Sequence, residues 1–267
     1  MDIERINNLG YLPIQNILNK IDTISNYTGL IHFLIDMYKN YNMGYLFNFY
    51  VGPDDKNSHV NIANFQQIGI DLPERDYYFR NDPVSKNIRE KYLVYIKQIL
   101  KLINLTGNVL NISQIADDIL TLETQIAVSH RTPNDLRNPI KNYNRFHLDD
   151  LNKLMPNLDW SSILKRMMIN TSTILIGQPD YYQLLDRLIV NQPLDLWKNK
   201  IRFSIVNSFA CYLSKEFIDA QFNFYKRIID GQKQQQERWK IIVAYIDKSK
   251  LKKLFLKYLN LLEVHFA

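Results

Sequence analysis

The residue types that carry most protein chemistry are sparse in this chain and far apart. Its five histidines are His32, His59, His130, His147 and His265, and no two lie three or four residues apart. A zinc hydrolase sets two imidazoles one helical turn apart, so that both reach one metal from the same face. No His-Glu-x-x-His occurs, so each histidine is expected to be exposed or hydrogen-bonded rather than a ligand. The single cysteine, Cys211, excludes an internal disulfide and any Cys-x-x-Cys pair. It stands in the largely apolar run Phe209-Ala210-Cys211-Tyr212-Leu213, where a thiol is expected to be a small core residue rather than a nucleophile.

Three carboxylate pairs, Asp54-Asp55, Asp117-Asp118 and Asp149-Asp150, are the remaining candidates for acid/base work. Their settings point to structure instead: the first in a turn, the second near a helix start, the third just before a helix. No Gly-x-Ser-x-Gly elbow, Walker-type phosphate loop or dinucleotide glycine fingerprint is present. The aromatic residues do not alternate with basic ones as a single-strand-binding groove requires.

The elements that would hold these groups are mainly helical. Residues 14–24 and 28–41 read as short helices, with Pro13 at a start and Thr28 as a cap. Residues 44–51 are aromatic, partly alternating and closed by Gly52-Pro53, which is strand chemistry. Asp54-Asp55-Lys56-Asn57 reads as a turn and residues 59–64 as a return strand. From Asp82-Pro83 the spacing of Tyr92, Ile96, Ile99 and Ile103 predicts one helix face, ending at Gly107. Ile115, Ile119, Leu122 and Ile126 predict the next helix. Pro133 and Pro139 bracket a loop, Asp159-Trp160 starts a helix, and Thr173-Ile174-Leu175-Ile176 is a short strand. Helices follow from about residue 180, broken near Pro193 and Gly231. The expected fold is mainly α, a helical cap-type domain with a minor β-hairpin near residues 45–63.

With 267 residues, 46% hydrophobic and 22% charged, the chain has an ordinary globular composition. The net charge of +6 is spread along the chain, apart from Lys248, Lys250, Lys252, Lys253 and Lys257, which read as a solvated helix face. Nucleic acid is therefore not an expected partner. Met1-Asp2-Ile3-Glu4-Arg5 is not leader chemistry, and no apolar run approaches the roughly 20 residues of a membrane span.

A resemblance adds what spacing does not supply. The run from Leu46 to Ser58 is similar to a segment of the neprilysin-type zinc metallopeptidases, in which an aromatic strand enters an Asp-x-Lys-Asn turn. Gln66, Gly69 and Leu72-Pro73-Glu74-Arg75-Asp76-Tyr77-Tyr78 follow in the family's order. So do Leu122-Glu123 with Ile126-Ala127, Arg137-Asn138-Pro139 with Tyr143-Asn144, Leu158-Asp159-Trp160, Pro179-Asp180-Tyr181, and Gly231 with Arg238-Trp239-Lys240. The order resembles the N-terminal region of neprilysin, the endothelin-converting enzymes and bacterial PepO. The resemblance implies a helical cap that closes over a thermolysin-like catalytic domain and admits small peptides. It covers residues 1–240; residues 241–267 are expected to be a divergent helical tail.

No position here matches the family's zinc ligands, general-base glutamate or Asn-Ala-x-x segment. No catalytic, cofactor-binding or metal residue is therefore expected in this chain, and zinc is expected in the complete family enzyme. The implied partners are a catalytic domain, in cis or in trans, and peptides in the complete enzyme. The chain is expected to be a truncated form, inactive alone; the alternative is a stand-alone helical module that binds peptides or proteins. The matched residues also have structural readings. Pro73 ends the segment of Leu72, Arg75 pairs with Asp76, Tyr77 and Tyr78 bury rings while their hydroxyls reach partners, and Arg137 braces the loop before Pro139.

Overall fold

A small sheet, rather than a helix bundle, organises the larger part of the chain. A computed structural model describes residues 2–105 and 109–248. The chain forms two compact units, one of Ile14–Asn207 and one of Met1–Pro13 with Ser208–Ala267. In the smaller unit, α1 (Ile3–Leu9) begins where the Asp2 carboxylate accepts the Arg5 N–H at 2.9 Å.

The larger unit opens with α2 (Gln15–Asp22) and α3 (Tyr27–Tyr41). Pro13 lies in the short 3-10 turn Leu12–Ile14 that leads into α2. On α3, Leu30, Ile31, Leu34 and Ile35 share the buried face at helical spacing. Thr28 does not cap this helix. Asn26 does, its Oδ1 accepting the Gly29 N–H at 2.8 Å, while Thr28 sits exposed in the first turn.

The hairpin consists of β1 (Asn48–Asp54) and β2 (Asn57–Gln66), paired antiparallel. β1 starts four residues later than the expected residue 44. At Gly44 the chain folds back so tightly that a Cβ there would lie 2.2 Å from the Phe47 carbonyl oxygen, which leaves no extended backbone until Asn48. Two further strands, β3 (Arg145–His147) and β4 (Thr173–Ile176), complete a sheet of order β1-β2-β4-β3. β4 runs parallel to β2, with Ala63 opposite Ile174 and Phe65 opposite Ile176, and antiparallel to β3. Its side chains Ile174, Leu175 and Ile176 are buried, which suits a β-branched run in an interior strand. The expected hairpin is thus half of a four-stranded mixed sheet. Behind it Phe65 packs edge-on against Trp160, with centroids 5.1 Å apart, and Trp160 against Tyr182 at 5.4 Å.

The hairpin's outer half, with Tyr50, Val51 and Val60, is exposed, and helices make up the rest of this unit. After the short α4 (Asp76–Phe79) comes α5 (Pro83–Leu102), with Pro83 in its first turn and Asp82 capping the Ser85 N–H. Tyr92, Ile96 and Ile99 form the buried stripe, and Ile103 lies buried just past the end. Gly107, expected to end this helix, lies outside the described residues. In α6 (Val109–Ala127), Ile119, Leu122 and Ile126 are buried as spaced, whereas Ile115 is half-buried beside the buried Ile112 and Ala116. Asp117-Asp118 stand in the middle of α6, not near its start, because the helix begins earlier than the stripe indicates. Pro133 opens a one-turn helix, α7 (Pro133–Leu136), within the expected loop. Asp149 and Asp150 occupy the first turn of α8 (Leu148–Leu154), where acidic groups oppose the helix dipole. Asp159 caps α9 (Trp160–Arg166) through the Ser162 N–H at 3.0 Å. Then follow α10 (Pro179–Asn191) and α11 (Leu194–Phe209), separated at Pro193.

In the smaller unit, α12 (Lys215–Gln221) runs on as a π-helical segment, Phe222–Ile229, that stops before Gly231 at φ 69°. α13 (Arg238–Lys248) is the last described element. Arg238 donates to the carbonyls of Tyr212 and Leu213 at 3.0 and 2.7 Å, beside the buried Cys211. Residues 241–248 of the expected tail belong to α13; the rest of it, with Lys250, Lys252, Lys253, Lys257 and His265, lies outside the described residues.

The cap of α3 separates the two candidates. Asn26→Ala should cost about 1 kcal/mol in chemical denaturation and Thr28→Ala only a few tenths. Equal losses would sink the assignment to Asn26.

Candidate functional site

Residues 67–75 leave β2 and cross the end of α6 without regular hydrogen bonding of their own. Side chains from distant elements hold them. The Tyr78 hydroxyl accepts the Leu72 N–H at 3.2 Å and donates to Glu123 Oε2 of α6 at 3.2 Å. His130 reaches the Ile68 carbonyl through Nε2 at 2.7 Å, and Arg75 Nη1 donates to the His130 carbonyl at 2.8 Å. Arg75 therefore does not pair with Asp76. Asp76 pairs one turn along α4 with Arg80 at 2.8 Å, because i,i+4 residues face each other on a helix and adjacent ones do not.

A buried charge cluster lies beneath this segment. The Lys200 ammonium, on α11, stands 2.6 Å from Asp71 Oδ2, 2.6 Å from Glu123 Oε1 and 2.8 Å from Ser204 Oγ. Tyr92 donates to Glu123 Oε1 at 2.8 Å. The Glu123 side chain is 2% exposed and that of Lys200 12%. Burial disfavours both charges of the Lys200–Asp71 pair, but their mutual attraction outweighs it: the lysine pKa lies above its usual range and the aspartate below. Glu123 goes the other way. Burial pushes its pKa up to about 8; Lys200 opposes that rise and Asp71 adds to it. One ammonium thus serves two carboxylates, and of the two Glu123 is the more readily protonated.

Above the cluster, the segment borders a cleft of about 430 Å³. Its polar wall is set by a chain of amide contacts whose directions backbone donors fix. The Gln67 N–H donates to Gln178 Oε1 at 2.7 Å, so Gln178 presents Nε2, which donates to Gln66 Oε1 at 2.9 Å and Asn142 Oδ1 at 2.7 Å. The Arg131 N–H donates to Gln67 Oε1 at 3.0 Å. Arg131 itself binds the carbonyls of Lys141 and Gly177 through Nη1, at 2.8 and 3.0 Å. Gly177 lets the Gln66 amide approach closely: a Cβ would lie 2.1 Å from Gln66 Oε1, so that side chain would have to swing aside.

The hairpin turn is a second convergence. Asp54 is buried and accepts the Lys56 N–H at 2.9 Å and the Tyr143 hydroxyl at 2.8 Å, while the Lys56 ammonium lies 4.3 Å from the Tyr143 ring centroid. Asn144 donates to the Ile176 carbonyl at 3.1 Å. The loop before Pro139 is braced not by Arg137, whose side chain is exposed, but by Asn142, which donates to the carbonyls of Asp135, Leu136 and Asn138.

The other sequence candidates stay apart. His32 contacts Ser162 Oγ at 2.8 Å, His59 and His147 are exposed on strands, and Asp55 is exposed in its turn. Among the described residues no three His, Cys, Asp or Glu side chains converge in a way that could hold a metal ion. Sequence reasoning missed Lys200, Arg131 and Gln178. Lys200 carried one weak signal, a charge directly before Ile201 on a helix with a wide buried face, but Lys198 and Arg202 flank it on the same helix; the glutamine carried none.

The fold is a mainly α domain built on a four-stranded mixed sheet, with amide and guanidinium groups lining a cleft. The chain belongs to peptidase family M13, whose N-terminal model matches residues 1–259. It is 28% identical to neprilysin-11 of Caenorhabditis elegans over 251 residues, covering 89% of this chain and 29% of that protein. It is 27% identical to an endothelin-converting enzyme homolog of Locusta migratoria over 261 residues, covering 90% of this chain and 35% of the relative. The zinc metalloprotease Zmp1 of Mycobacterium tuberculosis in its open state superposes with a TM-score of 0.86 at 25% identity, over 96% of this chain and 40% of that one. The chain thus spans about a third of the length of these curated relatives. The described residues do not fit a zinc of the kind that Zmp1's name states, since no ligand set converges.

Two measurements probe the site. Because Glu123 has a higher pKa folded than unfolded, its contribution is complete below the unfolded value of 4.5 and is lost as pH rises toward 8. Denaturation midpoints should show the wild type losing on the order of 1–3 kcal/mol relative to Glu123→Gln between pH 5 and pH 8.5. A difference that is constant with pH would remove the assigned proton. Gly177→Ala should destabilise by about 1 kcal/mol, because the Gln66 amide must leave Gln178; an unchanged denaturation midpoint would remove Gly177 from the wall.

Proposed function

We propose that this chain is the cap-building N-terminal part of a neprilysin-like zinc metallopeptidase, which hydrolyses peptides as a complete enzyme. The observation that carries the reading is the likeness to Zmp1 over 96% of this chain and only 40% of that one, together with the family match. In this reading the chain's own task is shape. Its sheet, the segment of residues 67–75 and the helices around them form a wall over a catalytic region, which supplies the zinc ligands and the general base in cis or in trans. In this reading the chain by itself binds no catalytic zinc and cleaves nothing. No helix among the described residues is long and apolar enough to cross a membrane.

The experiment is direct. The purified 267-residue chain, supplied with zinc and a quenched fluorogenic peptide, should show no turnover above a zinc-only blank. Peptide cleavage that a chelator abolishes would overturn the scaffold reading and require a metal site in this chain.

A further inference from the structure

The cleft beside residues 66–70 has a one-sided hydrogen-bond inventory. All three glutamine carbonyls in its wall are already occupied, Gln66 Oε1 by Gln178, Gln67 Oε1 by the Arg131 N–H and Gln178 Oε1 by the Gln67 N–H. The Arg131 N–H orients Gln67, and the Gln67 N–H orients Gln66 through the Gln178 side chain, so the Nε2 amides of Gln66 and Gln67 are left as donors without a protein partner among the described residues. Arg75 directs Nη1 to the His130 carbonyl, which leaves Nη2, and Arg131 Nη2 has as its ion-pair partner the exposed Asp180 at 3.5 Å. Among the lining residues the two arginines face one carboxylate, the exposed Glu74. The rest of the lining is apolar and includes Ile70, Pro133 and Leu136. A volume of about 430 Å³ lies in the range of sites that hold small ligands against an apolar wall with a few oriented polar groups.

We propose that this cleft binds a carboxylate that carries an apolar group, the carboxylate oxygens meeting the amides of Gln66 and Gln67 beside the two guanidinium groups. Donors without acceptors suit a group that only accepts, and planar guanidinium forks favour a planar anion. The apolar wall takes the ligand's side chain. Two sources share this chemistry, a free small acid and the C-terminal residue of a peptide. The proposal rests on the cleft alone and does not depend on the peptidase reading.

Calorimetric titration of the 267-residue chain tests it with N-acetyl-leucine, a hexapeptide ending in leucine, and the carboxamide of each. The free acids should bind at millimolar or lower concentration, and amidation should weaken them at least about tenfold. Gln67→Glu is nearly isosteric and keeps an acceptor for the Arg131 N–H, but turns the free donor into a negative acceptor. It should weaken the acids by a similar factor while the chain unfolds at a wild-type temperature. Leu136→Glu, on an exposed rim position, should do the same and guards against a folding defect in the first variant. Tighter binding of the hexapeptide than of N-acetyl-leucine assigns a peptide terminus; equal binding assigns a small acid. No saturable binding, equal binding of acid and amide, or wild-type binding by folded Gln67→Glu each overturns the proposal.

Discussion

The Lys200 ammonium is the contact on which the larger unit's functional face depends. It joins three parts of the chain that no secondary structure connects: the segment after β2 through Asp71, helix α6 through Glu123, and its own helix α11. An ion buried this deeply is stable only when its partners compensate for lost hydration. Two carboxylates, the Ser204 hydroxyl and a neighbouring tyrosine hydroxyl on Glu123 do so. Of the two carboxylates Glu123 is the one whose pKa burial raises, so it is the one that can take up a proton and relieve excess negative charge in the cluster. An apolar trio could fill the volume, but it would not fix where residues 67–75 lie relative to α6.

That placement passes outward to the cleft. With Asp71 and Leu72 fixed from below, Gln67 stands where its N–H meets Gln178, and Gln178 in turn orients Gln66. Gln178 reaches the segment because β4 pairs directly with β2, which brings the start of α10 to the end of the hairpin. Gly177 allows the approach, since any side chain there would occupy the position of Gln66. A parallel strand pairing, a glycine and a buried ion pair therefore act in series on one wall. Each contact alone contributes about a kilocalorie, but together they leave the segment a single arrangement.

The helices and the hairpin were legible in the sequence because they rest on local physics. Stripes such as Tyr92, Ile96 and Ile99 show their period, and Asp82-Pro83 and Asp159-Trp160 announce helix starts. The errors were also local: Asn26 and Thr28 are both good capping residues two positions apart, and backbone geometry decides between them. What was not legible is long-range. Nothing in Arg145-Phe146-His147 announces a strand until Thr173–Ile176 is placed beside it, and the β2–β4 pairing spans more than a hundred residues. Lys200, Arg131 and Gln178 act through partners equally remote, so their types and spacing carry little signal.

This contrast explains why the family resemblance was readable although no chemistry was. Asp54 and Tyr143 belong to separate matched runs and meet at 2.8 Å. Tyr78 and Glu123 do the same at 3.2 Å, and Leu158 meets the helix that begins with Pro179-Asp180-Tyr181 when its N–H donates to Asp186 at 3.0 Å. Substituting one partner of such a pair strands a buried polar group, which costs more than the bond itself contributes. The matched residues are thus the ones that hold distant parts of this fold together. They identify a scaffold because scaffold maintenance is the work their geometry performs. The groups that would touch a ligand in the proposed cleft, the Nε2 amides of Gln66 and Gln67 with Nη2 of Arg75, are positioned by that scaffold.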